Sequence, residues 1–245
     1  MDGLIYFIFL ALLAEILGTI GGFGSSLFFV PIASYFLDFH SVLGITALFH
    51  ITSNATKIIF FRNGFDKKCI LFIGIPAIVF VIVGAYISQF IKTNLLELLL
   101  AVFLVTISLI FLLFNTITIK PTRLNSISGG IFSGVIAGLL GTGGAIRGVA
   151  LAAFNLKTDV FIATSAIIDL GIDTSRGVVY FLNGYMHKED LYLIPILALV
   201  SVAGTFLGKK LLKNFSEKQF KSIVFILILI TGISTLVKLV YKNYI

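Results

Sequence analysis

Six side chains that could bind an ion or carry a proton lie within two apolar stretches of the sequence. In each stretch the three residues are spaced i, i+4 and i+7, which places them on one face of a helix. The two sets align at a constant offset of 119 residues. These two polar stripes are His50, Asn54 and Lys57 in the first stretch and Asp169, Asp173 and Arg176 in the second. If the stretches cross a membrane, such costly residues usually face a bundle interior or a watery cavity, so the stripes predict a lined pathway.

The stripes also have a structural interpretation. Asp173 and Arg176, at i and i+3, could neutralise each other and hold helices together. Lys57 could extend toward the nearby loop instead of facing the interior. Two buried carboxyl groups and one histidine are candidate proton carriers, although each could equally be a hydrogen-bonded structural residue. The three candidates are Glu15, His50 and Asp169.

Two glycine clusters, at 21–24 and 141–144, predict that a helix stops and another restarts inside the protein. A restarting helix points unpaired N–H groups and the positive end of its dipole inward, which favours an anion. Arg147, after the second cluster, would add a positive charge and a fork of donors. The predicted anion-binding residues are Gly22, Gly24, Ser25, Ser26, Gly143, Gly144 and Arg147, together with Asn54, Lys57, Asp173 and Arg176 from the stripes.

The glycines could also serve only to let helices pack closely. Gly130, Gly134 and Gly138 have the small-xxx-small spacing of such interfaces, and packing is the preferred interpretation for the first two. Neither glycine cluster has the G-x-G-x-x-G pattern, which argues against a dinucleotide site. The single cysteine, Cys69, excludes an internal disulfide, and the sequence has no metal or cofactor motif.

The elements that carry these residues are predicted to be membrane helices. The 245 residues are 58% hydrophobic and 12% charged, where an ordinary soluble domain has about 25% charged residues, so a water-soluble fold is excluded. Ten apolar segments follow one another, at 3–20, 26–37, 41–61, 69–91, 95–119, 127–141, 145–156, 159–182, 191–208 and 222–240. The second and seventh are too short to cross a bilayer. The predicted fold is an all-α integral membrane protein with about eight spans plus broken or re-entrant helices.

The chain is predicted to consist of two related repeats. They occupy 1–119 and 127–245 and are joined by a linker at 120–126. A shift of about 120 residues superposes the two glycine clusters, as expected for an internal repeat.

Loop charges predict that the second repeat is inverted relative to the first. Loops 62–68 and 209–221 are rich in lysine and arginine, whereas their equivalents, 183–190 and 91–94, have one lysine each. Basic loops stay in the cytoplasm, so equivalent loops lie on opposite sides and both termini lie outside. Lys238 and Lys242 fit this orientation less well. Topology also accounts for the formal charge of +7 without nucleic acid.

The glycine-rich segments carry a family resemblance. They are 18–24, followed by Pro31, and 138–144, and Asn-Gly pairs recur at positions 63 and 183. As a set, over essentially the whole chain, these features resemble the sulfite exporter TauE/SafE family. The resemblance implies transport of sulfite, sulfoacetate or related sulfur-containing anions across the bacterial inner membrane, usually as export.

The second repeat departs from the pattern of that family. Leu151 stands opposite Pro31, and Arg147 stands opposite Leu27. This asymmetry could tune the substrate, so the resemblance implies the class of anion rather than its identity.

Together these features predict a secondary transporter rather than an enzyme. It would bind a small oxyanion between the two helix breaks and could be coupled to protons. An anion channel and a permease for another small organic anion are the alternatives, while a membrane enzyme or a scaffold is disfavoured. The expected partners are a small inorganic or organic anion and the lipid bilayer, without nucleic acid, metal or cofactor; a homo-oligomer is left open. The expected location is the cytoplasmic (inner) membrane, with multiple passes.

Overall fold

The computed structural model describes residues 2–114, 119–212 and 217–244, and within these ranges every regular element is helical. The helices are α1 (Asp2–Gly21), α2 (Ser26–Ala33), α3 (Phe39–Phe60), α4 (Lys67–Ser88), α5 (Thr93–Leu113), α6 (Arg123–Leu140), α7 (Gly144–Ala152), α8 (Thr158–Leu182), α9 (Leu193–Leu211) and α10 (Glu217–Tyr244). Each predicted apolar segment overlaps one of them, which confirms the all-α prediction. Of the basic residues used to predict topology, Lys213 and the side chains of Lys218, Lys221 and Lys242 lie outside the described residues.

Six of the described helices are long and apolar enough to cross a membrane, namely α1, α3, α4, α5, α6 and α9. Helix α8 has 25 residues, but it carries Asp169, Asp173 and Arg176 in its interior and is not among the six. Helix α10 provides a shorter apolar stretch, Phe225–Tyr241. The chain therefore has the helices of a multi-pass membrane protein, and by length and composition alone fewer of them qualify as spans than the predicted eight.

Both predicted helix breaks are present. Helix α1 ends at the first glycine cluster, where Gly22 and Gly24 have φ angles of +68° and +85°, a left-handed conformation that glycine adopts without a Cβ clash. Helix α6 ends at Gly141, whose φ is +75°. Helices α2 and α7 restart just beyond and have 8 and 9 residues, which is too short to cross a bilayer.

The helices pack in a reciprocal pattern across the predicted repeat. Helix α1, the first of one repeat, packs against α9, the fourth of the other, and α6 packs against α4 in the same relation. The equivalent helices α3 and α8 contact each other, as do α5 and α10. The two helices that carry the polar stripes thus lie side by side.

Glycines on α6 allow the close contact with α4. A Cβ atom at Gly130, Gly134 or Gly138 would collide with backbone carbonyl oxygens of α4. Those oxygens belong to Ile73, Ala77 and Val81. Close packing therefore accounts for these three glycines, whereas Gly21 and Gly141 lie where α1 and α6 end.

Candidate functional site

The two polar stripes face one small cavity between α3 and α8. The Asn54 amide donates a hydrogen bond to an Asp173 oxygen at 2.7 Å, so the stripes touch at two positions that the sequence repeat aligns. The predicted site residues that line this cavity are Gly24, Ser25, Ser26, His50, Asn54, Lys57, Gly143, Gly144, Arg147, Asp169, Asp173 and Arg176. Gly22 lines an adjoining cavity, and Glu15 lies behind Lys57. The structure therefore brings the predicted site residues to one place.

The two helix breaks meet beside this cavity. Gly144, at the start of α7, lies so close to the Phe23 carbonyl oxygen that a Cβ there would collide with it. A Cβ on Gly24 would lie 3.8 Å from Asp169 Oδ2 and 4.0 Å from Arg147 Nη2. The first turns of α2 and α7 thus begin next to the charged side chains of the stripes.

Lys57 is paired with Glu15. Its Nζ lies 2.8 Å from Glu15 Oε1 and donates to the Ser53 hydroxyl at 2.7 Å. Glu15 is completely buried and also accepts hydrogen bonds of 2.6 to 3.2 Å from the hydroxyl groups of Thr19, Ser25, Ser53 and Thr205. The alternative that Lys57 extends toward the loop is wrong, because the side chain turns inward to this carboxylate.

Arg176 is paired with Asp173, its neighbour on the same helix. The Nη2–Oδ1 distance is 2.7 Å, and Arg176 Nη1 donates to the Ala137 carbonyl oxygen at 3.1 Å. That carbonyl lies near the end of α6, beside the second glycine cluster. This geometry fits one of the two interpretations of the stripe, in which Asp173 and Arg176 neutralise each other.

Arg147 is paired with Asp169. Its Nη2 donates to Asp169 Oδ2 and lies 3.5 Å from the Ser165 hydroxyl. The side chain is buried, and its Nε has no hydrogen-bond partner among the described residues. The positive charge expected at the second helix break is therefore present and is neutralised by a carboxylate.

The charges in the site balance. Three cations, Lys57, Arg147 and Arg176, face three carboxylates in three ion pairs. His50 adds a hydrogen bond of 2.9 Å between its Nε2 and the Ser25 hydroxyl. Buried charges are tolerated when they are paired and hydrogen-bonded, and each of these three cations has a carboxylate partner.

The cavity is small in this structure. Its free space is about 10 Å³, which is roughly what a single water molecule needs. An oxyanion with three oxygen atoms does not fit without movement of the surrounding helices.

Aromatic and basic side chains make contacts near the two ends of the bundle. Near loop 183–190, the Tyr180 hydroxyl donates to the Gly138 carbonyl oxygen at 2.7 Å, and its ring stacks on Tyr185. Burial raises the pKa of Tyr185, which keeps its hydroxyl protonated. At the other end, the Lys209 ammonium donates to the Phe60 carbonyl oxygen and lies 5.0 Å from the centre of the Phe61 ring.

Several site residues were missed in the sequence. The hydroxyl groups of Thr19, Ser53, Ser165 and Thr205 bind the charged side chains. Thr19 follows Glu15 by four residues and Ser53 precedes Lys57 by four, a helical spacing that could have pointed to both. Thr205 comes from a distant helix and has no such signal.

The comparisons with known proteins agree with the resemblance seen in the sequence. The family model described as "Sulfite exporter TauE/SafE" matches residues 7–235, nearly the whole chain. Neither the curated proteins nor the solved structures gave a match.

Proposed function

The chain belongs to the sulfite exporter TauE/SafE family, and on this premise we propose that it is a secondary transporter of a small sulfur-containing oxyanion. Sulfite or an organosulfonate would be the cargo, and by its family the protein would export it across the cytoplasmic membrane. The family is one of membrane transporters, which accords with a chain that is not an enzyme and that lies in the bilayer as a multi-pass protein.

The observation that carries this proposal is the cluster of three buried cations around one cavity where two helix breaks meet. Buried cations in membrane helices are expensive and usually serve transport. Arg147 offers the planar fork of donors that suits an oxyanion. The N-terminal turns of α2 and α7 would add backbone N–H groups and the positive ends of two helix dipoles.

We further propose that 1–119 and 127–245 are inverted repeats joined by a linker at 120–126. The reciprocal packing of α1 on α9 and of α6 on α4 supports this division. With α8 and α10 counted beside the six apolar helices, the spans would number about eight. Rocking of one repeat against the other would open the Tyr180 end and the Lys209 end in turn.

A carrier is favoured over an anion channel, and a permease for another small organic anion is the other alternative. A channel needs a continuous path, whereas this cavity has only about 10 Å³ of free space and its cations are paired. Saturation of flux and exchange of labelled for unlabelled anion distinguish a carrier from a channel. A panel of anions distinguishes sulfur-containing cargo from other organic anions.

Replacing Arg147 tests the proposal. Purified protein in liposomes should give saturable sulfite flux, and Arg147→Ala should lower kcat/KM by about 10- to 100-fold, as expected for loss of a hydrogen bond to a charged group. Arg62→Ala is the matched control, because Arg62 is exposed and bonds only the Ile59 carbonyl oxygen among the described residues. Absence of saturable flux in the wild type, or equal loss in both variants, would contradict the proposal.

A further inference from the structure

We infer that the Asp169 carboxylate occupies the place on Arg147 that the transported anion takes during transport. Asp169 binds Arg147 when no anion is bound and releases it when a proton neutralises the carboxylate. The anion then takes its place, so that one proton travels with each monovalent anion. This inference rests on the proposed function and names the proton carrier among the three candidates.

Among the buried carboxylates, Asp169 is the least enclosed. Its side chain is 13% exposed, against 0% for Glu15 and 4% for Asp173. It also lines both the central cavity and the adjoining one. Asp169 is therefore the most accessible of the three carboxylates to a proton or an anion in the cavity.

The number of hydrogen-bond partners also distinguishes Asp169 from the other two carboxylates. Glu15 is held by Lys57 and by four hydroxyl groups. Asp173 is held by Arg176 and by the Asn54 amide. Asp169 accepts a hydrogen bond from Arg147, whose Nη2 also lies 3.5 Å from the Ser165 hydroxyl. Release of Asp169 breaks the smallest network and leaves the two neighbouring pairs in place.

Arg147 has a vacant donor on the edge that Asp169 uses. Asp169 bonds Nη2, whereas Nε is buried and unpartnered among the described residues. Nε and Nη2 form one edge of the planar guanidinium group, which an oxyanion can bind with two oxygen atoms at once. A bound anion would thus satisfy Nε and occupy the position of the Asp169 oxygen on Nη2.

The charge balance of the site requires a compensating proton. The titratable and charged groups that face Asp169 are Glu15 from α1, His50 and Lys57 from α3, Arg147 from α7, and Asp173 and Arg176 from α8. Their formal charges sum to zero with Asp169 ionised and His50 neutral. A monovalent anion would leave one negative charge in a poorly hydrated site, and a proton on Asp169 restores neutrality.

The transport step conserves the proton and the net charge of the site. A proton from the entry side adds to a carboxylate oxygen of Asp169, the ion pair with Arg147 breaks, and the anion binds Nε and Nη2. On the exit side the anion leaves, the proton follows, and the pair forms again. The empty and the loaded site then have equal net charge, and the sum of the proton and anion gradients sets the direction of net flux.

The pH dependence of sulfite transport tests the inference. Sulfite is itself protonated near neutral pH, but this contribution is identical for all variants. The ratio of the half-saturation constant of the wild type to that of Asp169→Asn therefore isolates the protein's own proton. From about pH 5.5 to about pH 8.5, this ratio should rise about tenfold per pH unit above the protonation midpoint of Asp169. Glu189→Gln, an exposed carboxylate on the loop before α9, should follow the wild type.

Several outcomes overturn the inference. A ratio that stays within about twofold over the whole pH range means that Asp169 exchanges no proton during transport. If Asp169→Asn does not fold, Asp169→Ser replaces it, because serine is also neutral. A ratio that stays within about twofold then overturns the inference in the same way. Asp169→Glu should keep the pH slope with an altered half-saturation constant, and an unaltered constant refutes competition for Arg147. A wild type without saturable sulfite flux at any pH contradicts the proposed function instead.

Discussion

Lys57→Met should lower the free energy of unfolding by about 3–5 kcal/mol, because it leaves the Glu15 carboxylate buried without its cation. Glu15→Gln should cost a similar amount, since Lys57 then keeps its charge without an anionic partner. The double variant removes both charges and should recover a large part of the loss. It retains an amide that can still accept hydrogen bonds from the hydroxyl groups around Glu15.

The size of this effect follows from the geometry. At the 2.8 Å separation of Nζ and Oε1, the Coulomb attraction is about 6 kcal/mol for an effective dielectric constant of about 20. Desolvation of both groups offsets much of this attraction, so the pair contributes little in net terms while each single variant is costly. The interaction energy between the two substitutions should therefore be about 5–6 kcal/mol, close to the Coulomb attraction itself.

A double-mutant cycle measures this interaction energy. Unfolding of the four proteins by denaturant in mixed micelles, followed by circular dichroism, gives the free energies. Lys188→Met and Glu189→Gln provide the control cycle, because both side chains are exposed and such changes stay within about 0.5 kcal/mol. If the effects of Lys57→Met and Glu15→Gln simply add, the two side chains do not form the buried pair and the described geometry is wrong.

Two further predictions concern the scaffold. Gly134→Ala should lower the melting temperature, because its Cβ collides with the backbone of α4 and overpacking costs about 1–3 kcal/mol. Gly3→Ala is the control and should leave the melting temperature unchanged, because a Cβ at Gly3 has open space around it. Equal melting temperatures for the two variants would refute the close α4–α6 contact. In a Cys69→Ser background, Lys68→Cys and Lys188→Cys should react with an impermeant thiol reagent from opposite sides of the membrane, since inverted repeats place equivalent loops on opposite faces; labelling of both from one side would contradict inversion.

Hydropathy was sufficient to predict the fold class, because a membrane helix is determined by local sequence. A run of about 20 apolar residues has one stable form in a bilayer. The glycine clusters at 21–24 and 141–144 also predicted where helices break, since they interrupt the apolar pattern directly. Spans are harder to count, because α8 is long enough to cross but carries charged side chains in its interior that lower its hydropathy.

The residues of the candidate site could be predicted from the sequence, but their ion-pair partners could not. Helical periodicity placed Asn54 and Asp173 on the inner faces of two helices, and the repeat offset made them equivalent. Periodicity contains no information on which distant helix meets a given face, so the partnership of Lys57 with Glu15 had no sequence signal. For the same reason the sequence predicted the positive charge of Arg147 at the second helix break but not its partner, Asp169, on the following long helix.

The pairing of Arg147 with Asp169 bears on selectivity as well as on stability. An unpaired arginine in this cavity would attract any anion, and the loaded site would be slow to empty. With Asp169 attached to the same scaffold, the competing carboxylate has a high effective concentration at the guanidinium group. A free anion succeeds only when it offers more than that carboxylate does, for example by satisfying Nε and Nη2 together. Under the inferred mechanism, selection then depends on the competition for one arginine edge, because a cavity of about 10 Å³ admits no oxyanion until the surrounding helices move.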